Sequence, residues 1–383
     1  MQDKLQLIAT ATFGLESIVA QEVHDLGYQV SSVENGKVTF EAGPDAICRA
    51  NLWLRTADRV RLKVGEFTAT SFEELFQETR SLPWAELLPA DAEFPVEGKS
   101  IKSALFSVPD CQAIVKKAVV ESMKKKYKQQ WFEEKGPLFR IEVALLKDVA
   151  TLTIDTSGAG LHKRGYRDHT GHAPLRENLA AALVLLSRWH PDTALIDPLC
   201  GSGTIPLEAA LIGLDIAPGL NRTFASEDWP LLPGSLWKDA REQARERIKT
   251  NEQMEIRGSD IDEKAVNLAR KNARLSGVEQ AIHFQVQPLA ELRSSKKYGK
   301  IICNPPYGER LGEEREVKKL YKTMGEVFGR LDTWSFYILT AHPQFEKFFG
   351  RKATKKRKLY NGNIKVDFYQ YFGLKPPRPR KNK

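Results

Sequence analysis

The chain has 383 residues, 42% hydrophobic and 28% charged, with 58 Lys and Arg against 49 Asp and Glu for a net charge of +9. That length allows two or three cores and that balance is globular, which excludes disordered and membrane chains. No apolar run approaches the ~20 residues of a membrane helix and Met1-Gln2-Asp3-Lys4 opens no secretory signal, so a cytoplasmic protein with a polyanionic partner and no membrane is expected.

From the N-terminus, Leu5 to Ala9 reads as a strand. Gly14 to Leu26 carries Leu15, Ile18, Val19, Val23 and Leu26 on one helical face, and Val38 to Phe40 returns as a strand after the turn-forming Asn35-Gly36. A second α/β stretch follows, with helices over Ser71 to Arg80 and Cys111 to Lys128 and strands over Phe139 to Leu145 and Val149 to Ile154. The second of these helices gathers Cys111, Ile114, Val115, Ala118, Val119 and Met123 on one stripe. Lys116, Lys117, Lys124, Lys125, Lys126 and Lys128 cover much of the rest, either as a solvated face or as an electrostatic dock for a polyanion.

A polar stretch from Ser157-Gly158-Ala159-Gly160 to Pro174 is expected to link the two halves. Its His162, His169 and His172 read as linker histidines rather than metal ligands. Cys48, Cys111, Cys200 and Cys303 lie far apart, so neither a metal site nor a disulfide framework is expected. Arg176 to His190 then reads as a helix, and strands alternate with helices through Leu339, as in a doubly wound, mainly parallel sheet. Lys358 to Phe372 around Asn361-Gly362-Asn363 reads as a hairpin, and Lys375 to Lys383 as a Pro- and Arg-rich tail.

Three segments of this half carry chemistry. Asp197-Pro198-Leu199-Cys200-Gly201-Ser202-Gly203-Thr204 follows a strand and opens a helix, and its glycines permit a sharp turn and close backbone approach to a ligand. The dinucleotide signature fails because Pro206 stands at its third glycine, and no Gly-x-x-x-x-Gly-Lys phosphate loop occurs. Next, Ile256 to Asp262 ends a strand in carboxylates. Asp260 is placed to accept ribose hydroxyls beside Ile261, and Asp262 to cap the next helix. The interval from Gly201 to Asp260 far exceeds the ~20 residues of a βαβ unit. An insertion over 215–251, with Trp229 and Trp237 as packing residues, is therefore expected.

The third segment is the buried strand Lys300 to Cys303 running into Asn304-Pro305-Pro306-Tyr307. Prolines stiffen that loop and leave carbonyl acceptors at the carboxyl edge of the sheet, where such folds bind ligands. The Asn304 side chain and the Pro305 carbonyl can hold the N–H groups of an amine and aim its lone pair at a methyl, while Tyr307 can stack on an extruded base. A plain turn would also accommodate Pro305-Pro306 taken alone.

These strings resemble the THUMP-domain RNA methyltransferases, specifically the bacterial 23S ribosomal RNA guanine-N2 methyltransferase family, over nearly the whole chain. Asp197-Pro198-x-Cys200-Gly201-Ser202-Gly203-Thr204 resembles the family's cofactor loop. Asn304-Pro305-Pro306-Tyr307-Gly308-Glu309-Arg310-Leu311-Gly312 resembles its catalytic loop, and Thr170 to Asn178 the segment that caps the cofactor. The resemblance implies S-adenosylmethionine as cofactor, with Asp197, Pro198, Cys200, Gly201, Gly203, Thr204, Asp260, Ile261, Gln287 and Asn304 as its contacts and Asn304, Pro305, Pro306 and Tyr307 as the catalytic loop. Where many relatives have an acidic residue for the adenine amine, this chain has Val286-Gln287-Pro288, which leaves the Gln287 amide oxygen as acceptor.

The implied architecture is α/β throughout. A ferredoxin-like domain is expected over 1–65, a THUMP RNA-binding domain over 66–155, a linker over 156–175, a Rossmann-like doubly wound methyltransferase domain over 176–375 and a basic tail over 376–383. The implied partner is structured RNA, 23S ribosomal RNA or an assembling large subunit. Adenine-N6 methylation of RNA or DNA is equally compatible with Asn304-Pro305-Pro306-Tyr307, and a noncatalytic ribosome-assembly factor is a third reading, disfavoured by the intact loops.

Overall fold

The computed structural model describes residues 4–167, 175–250, 252–307 and 314–377. His169, His172, the Thr170 to Pro174 part of the expected capping segment, the Gly308 to Gly312 continuation of the catalytic loop and the end of the tail lie outside the described residues. The chain divides into two compact units. The first comprises Met1–Ala11, Val19–Leu161 and Arg222–Ala244, and the second Thr12–Ile18, His162–Asn221 and Arg245–Lys383.

The N-terminal elements are β1 (Leu5–Ala11), α1 (Glu16–Asp25), β2 (Gln29–Glu34), β3 (Lys37–Ala42), α2 (Asp45–Trp53) and β4 (Ala57–Thr68). They are followed by α3 (Phe72–Ser81), α4 (Trp84–Leu87), β5 (Val96–Ile101), α5 (Val108–Tyr127), β6 (Ile141–Leu146) and β7 (Val149–Asp155). One seven-stranded sheet runs β2-β3-β1-β4-β7-β6-β5, antiparallel except where β5 meets β6. The Asn35-Gly36 turn joins β2 to β3 with Gly36 at φ +79°, a left-handed conformation that glycine adopts without penalty. Ser71 caps α3 through a reciprocal box with Glu74, each bond at 3.2 Å, which satisfies donors that a helix start leaves open.

Several elements of this unit escape periodicity. Strand β4 carries Arg59, Arg61, Lys63 and Glu66 along twelve residues, so it does not read as a half-buried strand. Those charges are tolerated because each has a partner: Arg61 meets Glu142 at 3.1 Å, Lys63 meets Glu66 at 3.3 Å, and Arg59 pairs with buried Asp155. Helix α5 buries Cys111, Val115, Ala118, Val119 and Met123, while Ile114 is only half-buried. It ends at Lys128, whose φ of +54° closes a left-handed cap.

The second half begins with α6 (Glu177–Leu186), β8 (Leu195–Asp197) and α7 (Thr204–Gly213). The residues after Asn221 form α8 (Gly234–Glu246) and supply aromatic packing to the first unit. Trp229 stacks on Phe139 with ring centroids 4.5 Å apart and donates its indole N–H to the Leu138 carbonyl at 3.0 Å. Trp237 stacks on Phe224 at 5.1 Å. The expected insertion thus has its tryptophans packed, and residues Arg222–Ala244 of it cluster with the N-terminal unit.

Thereafter β9 (Ile256–Asp260), α9 (Glu263–Leu275), β10 (Ile282–Val286), β11 (Lys300–Cys303) and α10 (Glu314–Phe328) lead to β12 (Ser335–Thr340), α11 (Phe345–Phe349), β13 (Lys355–Asn361) and β14 (Ile364–Tyr371). The sheet order is β10-β9-β8-β11-β12-β14-β13. Five strands are parallel, and β14 inserts antiparallel between β12 and β13. This is the doubly wound sheet expected from the alternation of strands and helices. Helix α6 stops at Leu186, short of the expected His190, because Arg188 turns left-handed at φ +53° and the Lys300 ammonium takes the Ser187 carbonyl at 2.5 Å.

Candidate functional site

Strands β8, β9 and β10 progress one way across the sheet and β11 and β12 the other, so the order reverses between β8 and β11. Carboxyl ends flanking such a switch point open a crevice with no connection crossing it, which is where doubly wound sheets take ligands. Asp197, Asp260 and Asn304 stand at the ends of β8, β9 and β11 respectively.

The loop from β8 to α7 is shaped by its own backbone. Cys200 N–H donates to the Ser259 carbonyl at 2.9 Å and Gly203 N–H to the Cys200 carbonyl at 2.8 Å, with Gly201 at φ +49° and Gly203 at φ +82°. At Gly258 on β9 a Cβ would fall 2.5 Å from the Phe284 ring, so glycine there lets strand and loop close up. At Gly201, by contrast, a Cβ would meet nothing within 4 Å among the described residues. The loop therefore presents open space at one of its two left-handed glycines.

Asp260 ties the second strand to this loop. One carboxylate oxygen accepts Gly201 N–H at 2.9 Å and the other accepts Asp262 N–H at 3.0 Å, which leaves lone pairs on both for a ligand. Asp262 caps α9 by accepting from Lys264 N–H at 2.9 Å, as its position suggested. Beside them Ile261 is 71% exposed and Val286 48% exposed, two apolar side chains at neighbouring strand ends. Gln287 donates its backbone N–H to the Asp260 carbonyl at 2.9 Å, while its amide oxygen accepts from Gln285 at 2.7 Å. That oxygen, expected to serve an adenine amine, already has one donor.

Burial raises the Asp197 carboxyl well above the ordinary carboxylate range, against the Leu199 N–H it accepts at 3.2 Å, and the charge of Asp260 raises it further. Pro198 is buried, and so are Cys200 and Cys303, whose thiols burial pushes up. They act as small packing residues beneath the loop.

On β11 the strand gives way to half-buried Asn304, buried Pro305, exposed Pro306 and half-buried Tyr307. The Tyr307 hydroxyl donates to the Asn304 side-chain oxygen, so the two residues that the sequence singles out are in direct contact.

Sequence reasoning missed a polar group behind the cofactor loop. Arg167 donates to the Ser202 hydroxyl at 3.3 Å, to the Thr204 hydroxyl and to the Leu175 carbonyl at 3.2 Å, and pairs with Glu177 at 3.3 Å. Arg164 grips Glu208 through two bonds of 3.2 and 3.3 Å in full burial, with the Tyr166 hydroxyl donating to the same carboxylate at 3.1 Å. One signal was available. Glu208 sits inside the apolar helix Thr204–Gly213, and a charge there requires a buried cation.

The five named lysines of α5 and its cap Lys128 do not form one free array. Lys116 reaches the Phe94 carbonyl at 2.9 Å and the Glu134 carboxylate at 2.7 Å, Lys124 pairs with Glu121 at 2.8 Å, and Lys126 donates to the Ala85 carbonyl at 2.8 Å. Lys117 lies over the Phe76 ring, and Lys125 and Lys128 are exposed.

A turned glycine loop with open space, a carboxylate at the second strand end, exposed aliphatics beside it and a proline-rich acceptor loop at the fourth strand together define a class: a methyltransferase with a Rossmann-like cofactor domain. Residues 164–370 match the model of the RMKL-like methyltransferase domain, residues 6–61 that of the RlmL ferredoxin-like domain, and residues 69–155 that of the THUMP domain. The chain belongs to the RMKL-like family of THUMP-domain RNA methyltransferases, which use S-adenosylmethionine.

Among its relatives is "Putative RNA methyltransferase YpsC" of Bacillus subtilis (strain 168), 52% identical over 99% of this chain and 98% of that protein. Another is the ribosomal RNA large subunit methyltransferase K/L of Syntrophotalea carbinolica, 34% identical over 99% of this chain, which spans 56% of that longer protein. Among solved structures, SMU.472, "a putative methyltransferase complexed with SAH", is 47% identical with a TM-score of 0.93 over 98% of this chain and all of that one. A Listeria monocytogenes protein titled "predicted N6-adenine-specific DNA methylase" is 54% identical with a TM-score of 0.93 over 97% of each chain.

Proposed function

We propose that the chain methylates the exocyclic N2 amine of a guanine in 23S ribosomal RNA. The observation that carries the reading is the acceptor loop: Asn304, Pro305 and Pro306 offer oxygens and no proline N–H at the switch point of the sheet, beside Tyr307. The relative named for the large ribosomal subunit and the THUMP unit support RNA as the substrate.

The cofactor residues proposed are Asp197, Pro198, Cys200, Gly201, Gly203 and Thr204 around the loop, Asp260 for the ribose, Ile261 and Val286 against the adenine, and Gln287 and Asn304 at the edges. Their fit rests on the open space at Gly201 and the free lone pairs of Asp260. S-adenosylmethionine supplies an electrophilic methyl on a sulfonium that departs as a neutral thioether.

The protein's part is alignment, the effect that counts most when no group must be covalently activated. Asn304 and the Pro305 carbonyl accept the amine's N–H bonds and point its lone pair. Tyr307 stacks on a base drawn out of its helix, with its hydroxyl first leaving or sharing the Asn304 oxygen. The amine loses its surplus proton after transfer, so no side chain is assigned as general base.

A second reading, adenine-N6 methylation, is favoured by the name given to the Listeria neighbour and by the same loop. Mass spectrometry of nucleosides from ribosomal RNA of a strain lacking the gene decides between them. N2-methylguanosine should fall and return with the intact gene but not with Asn304→Ala. Loss of N6-methyladenosine instead would select the second reading, and no change in either would remove ribosomal RNA as substrate.

A further inference from the structure

Pro305 and Pro306 contribute no N–H, so the middle of the loop has no backbone donor to fix it and contacts made to its carbonyls weigh more. Tyr321 on α10 donates its hydroxyl to the Pro306 carbonyl at 2.9 Å. The same hydroxyl lies 2.9 Å from that of Thr340, the last residue of β12, and Thr340 accepts the N–H of His342 at 3.1 Å. A carbonyl can only accept, so Tyr321 spends its single proton on Pro306. Thr340 must then donate to Tyr321, which agrees with its accepting from His342. Every polarity in the chain is fixed by its two ends.

We propose that Tyr321 is a positioning residue for methyl transfer: the relay from His342 N–H through Thr340 and Tyr321 sets the Pro306 carbonyl and thereby the direction of Asn304 and Tyr307. The inference rests on reading this loop as the holder of the target amine. Both hydroxyl-bearing side chains are 0% exposed, so water is no substitute for either partner. The ring is held independently, edge-on to Phe345 at 4.9 Å and to His342 at 5.5 Å. Removal of the hydroxyl therefore leaves the ring seated. Burial pushes the phenol up to about 12, which keeps it a donor across the working pH range.

The test uses the full chain as Tyr321→Phe, Thr340→Val, Thr340→Ser, the Tyr321→Phe/Thr340→Val double variant and Asn304→Ala. S-adenosylhomocysteine affinity is measured by calorimetry, and single-turnover methylation of in vitro transcribed 23S RNA with radiolabelled cofactor. Tyr321→Phe and Thr340→Val should each slow turnover roughly tenfold, since each removes one hydrogen bond of the relay that orients the Pro306 carbonyl. Affinity should stay within about two-fold, Thr340→Ser should restore the rate, and the double variant should be no slower than the worse single one.

A wild-type rate for Tyr321→Phe beside a slow Asn304→Ala overturns the relay and leaves the loop reading standing. A wild-type rate for Asn304→Ala overturns both. Calorimetry also reports folding, and Thr340→Val, which keeps the tyrosine ring, decides the matter if Tyr321→Phe no longer binds.

Discussion

Replacing Gly203 and Gly201 by alanine, one at a time, separates strain inside the fold from obstruction of the ligand space. A Cβ on Gly203 would stand 2.9 Å from the Ala269 Cβ and 3.0 Å from the Phe284 ring, both buried between helix and sheet, at a φ of +82°. Left-handed strain of about 1–2 kcal/mol and overpacking of about 1–3 kcal/mol sum to roughly 2–5 kcal/mol. That is a large fraction of an ordinary domain's stability.

At Gly201 the added methyl meets nothing within 4 Å among the described residues, so only left-handed strain of about 1–2 kcal/mol applies to folding. Its methyl instead enters the space assigned to the cofactor. Urea unfolding followed by tryptophan fluorescence should rank Gly203→Ala well below Gly201→Ala. Calorimetry should show Gly201→Ala, still folded, binding S-adenosylhomocysteine at least about tenfold more weakly, which is ~1.4 kcal/mol. Wild-type affinity in Gly201→Ala would refute the placement of the cofactor. Equal stability of the two variants would refute the packing argument.

Asn304→Ala should lower turnover about tenfold or more while changing cofactor affinity far less by calorimetry, since its oxygen orients the nucleophile and meets the cofactor only at an edge. Tyr307→Phe, which frees that oxygen and keeps the ring, should be mild and Tyr307→Ala severe; equal turnover of the two would end the stacking role. Because burial raises the Asp197 carboxyl in the folded state, folding favours its protonated form. Its stability contribution is full below the unfolded carboxyl value and lost as pH rises through the raised one. Asp197→Asn should therefore gain in thermal stability over wild type as pH climbs from 4 to 8, with the gap closing in acid. Lys125→Glu should weaken RNA binding and lower the salt slope by about one unit, whereas Lys116→Ala should lower the melting temperature, as it breaks the contacts to Glu134 and Phe94.

The second unit was the more legible in sequence because its signals are local. A glycine turn after an apolar strand, a carboxylate at the next strand end and Asn304-Pro305-Pro306-Tyr307 each announce themselves within a few residues, and alternation marks a doubly wound, mainly parallel sheet, though not the place of β14. Helix α2 and strand β5 of the first unit gave no comparable pattern, and β4 hides behind charges whose partners lie far along the chain, as Arg59 and Asp155 do. The same distance concealed Arg167 behind Ser202 and Tyr321 behind Pro306, since a hydroxyl or guanidinium on an ordinary helix or loop has no periodicity to mark it. The lysines of α5 are the converse case. Their spacing suggested one surface, and only geometry reveals which ammonium groups are tied to carbonyls and carboxylates.

The passage of Arg222–Ala244 into the first unit bears on how the protein is made. Phe139 is 0% exposed in the finished fold, and its stacking partner Trp229 is translated 90 residues later. At elongation speeds of about 5–20 residues per second that interval is on the order of ten seconds, during which the nascent first unit carries an uncovered aromatic face. Leu15 waits longer, because it is buried with residues as late as Leu359 and Phe368. The ribosome therefore releases two units that complete each other's inventories late in synthesis. A gene fragment starting after Leu161 would encode a methyltransferase unit without Leu15, bearing a tryptophan whose seat was never made.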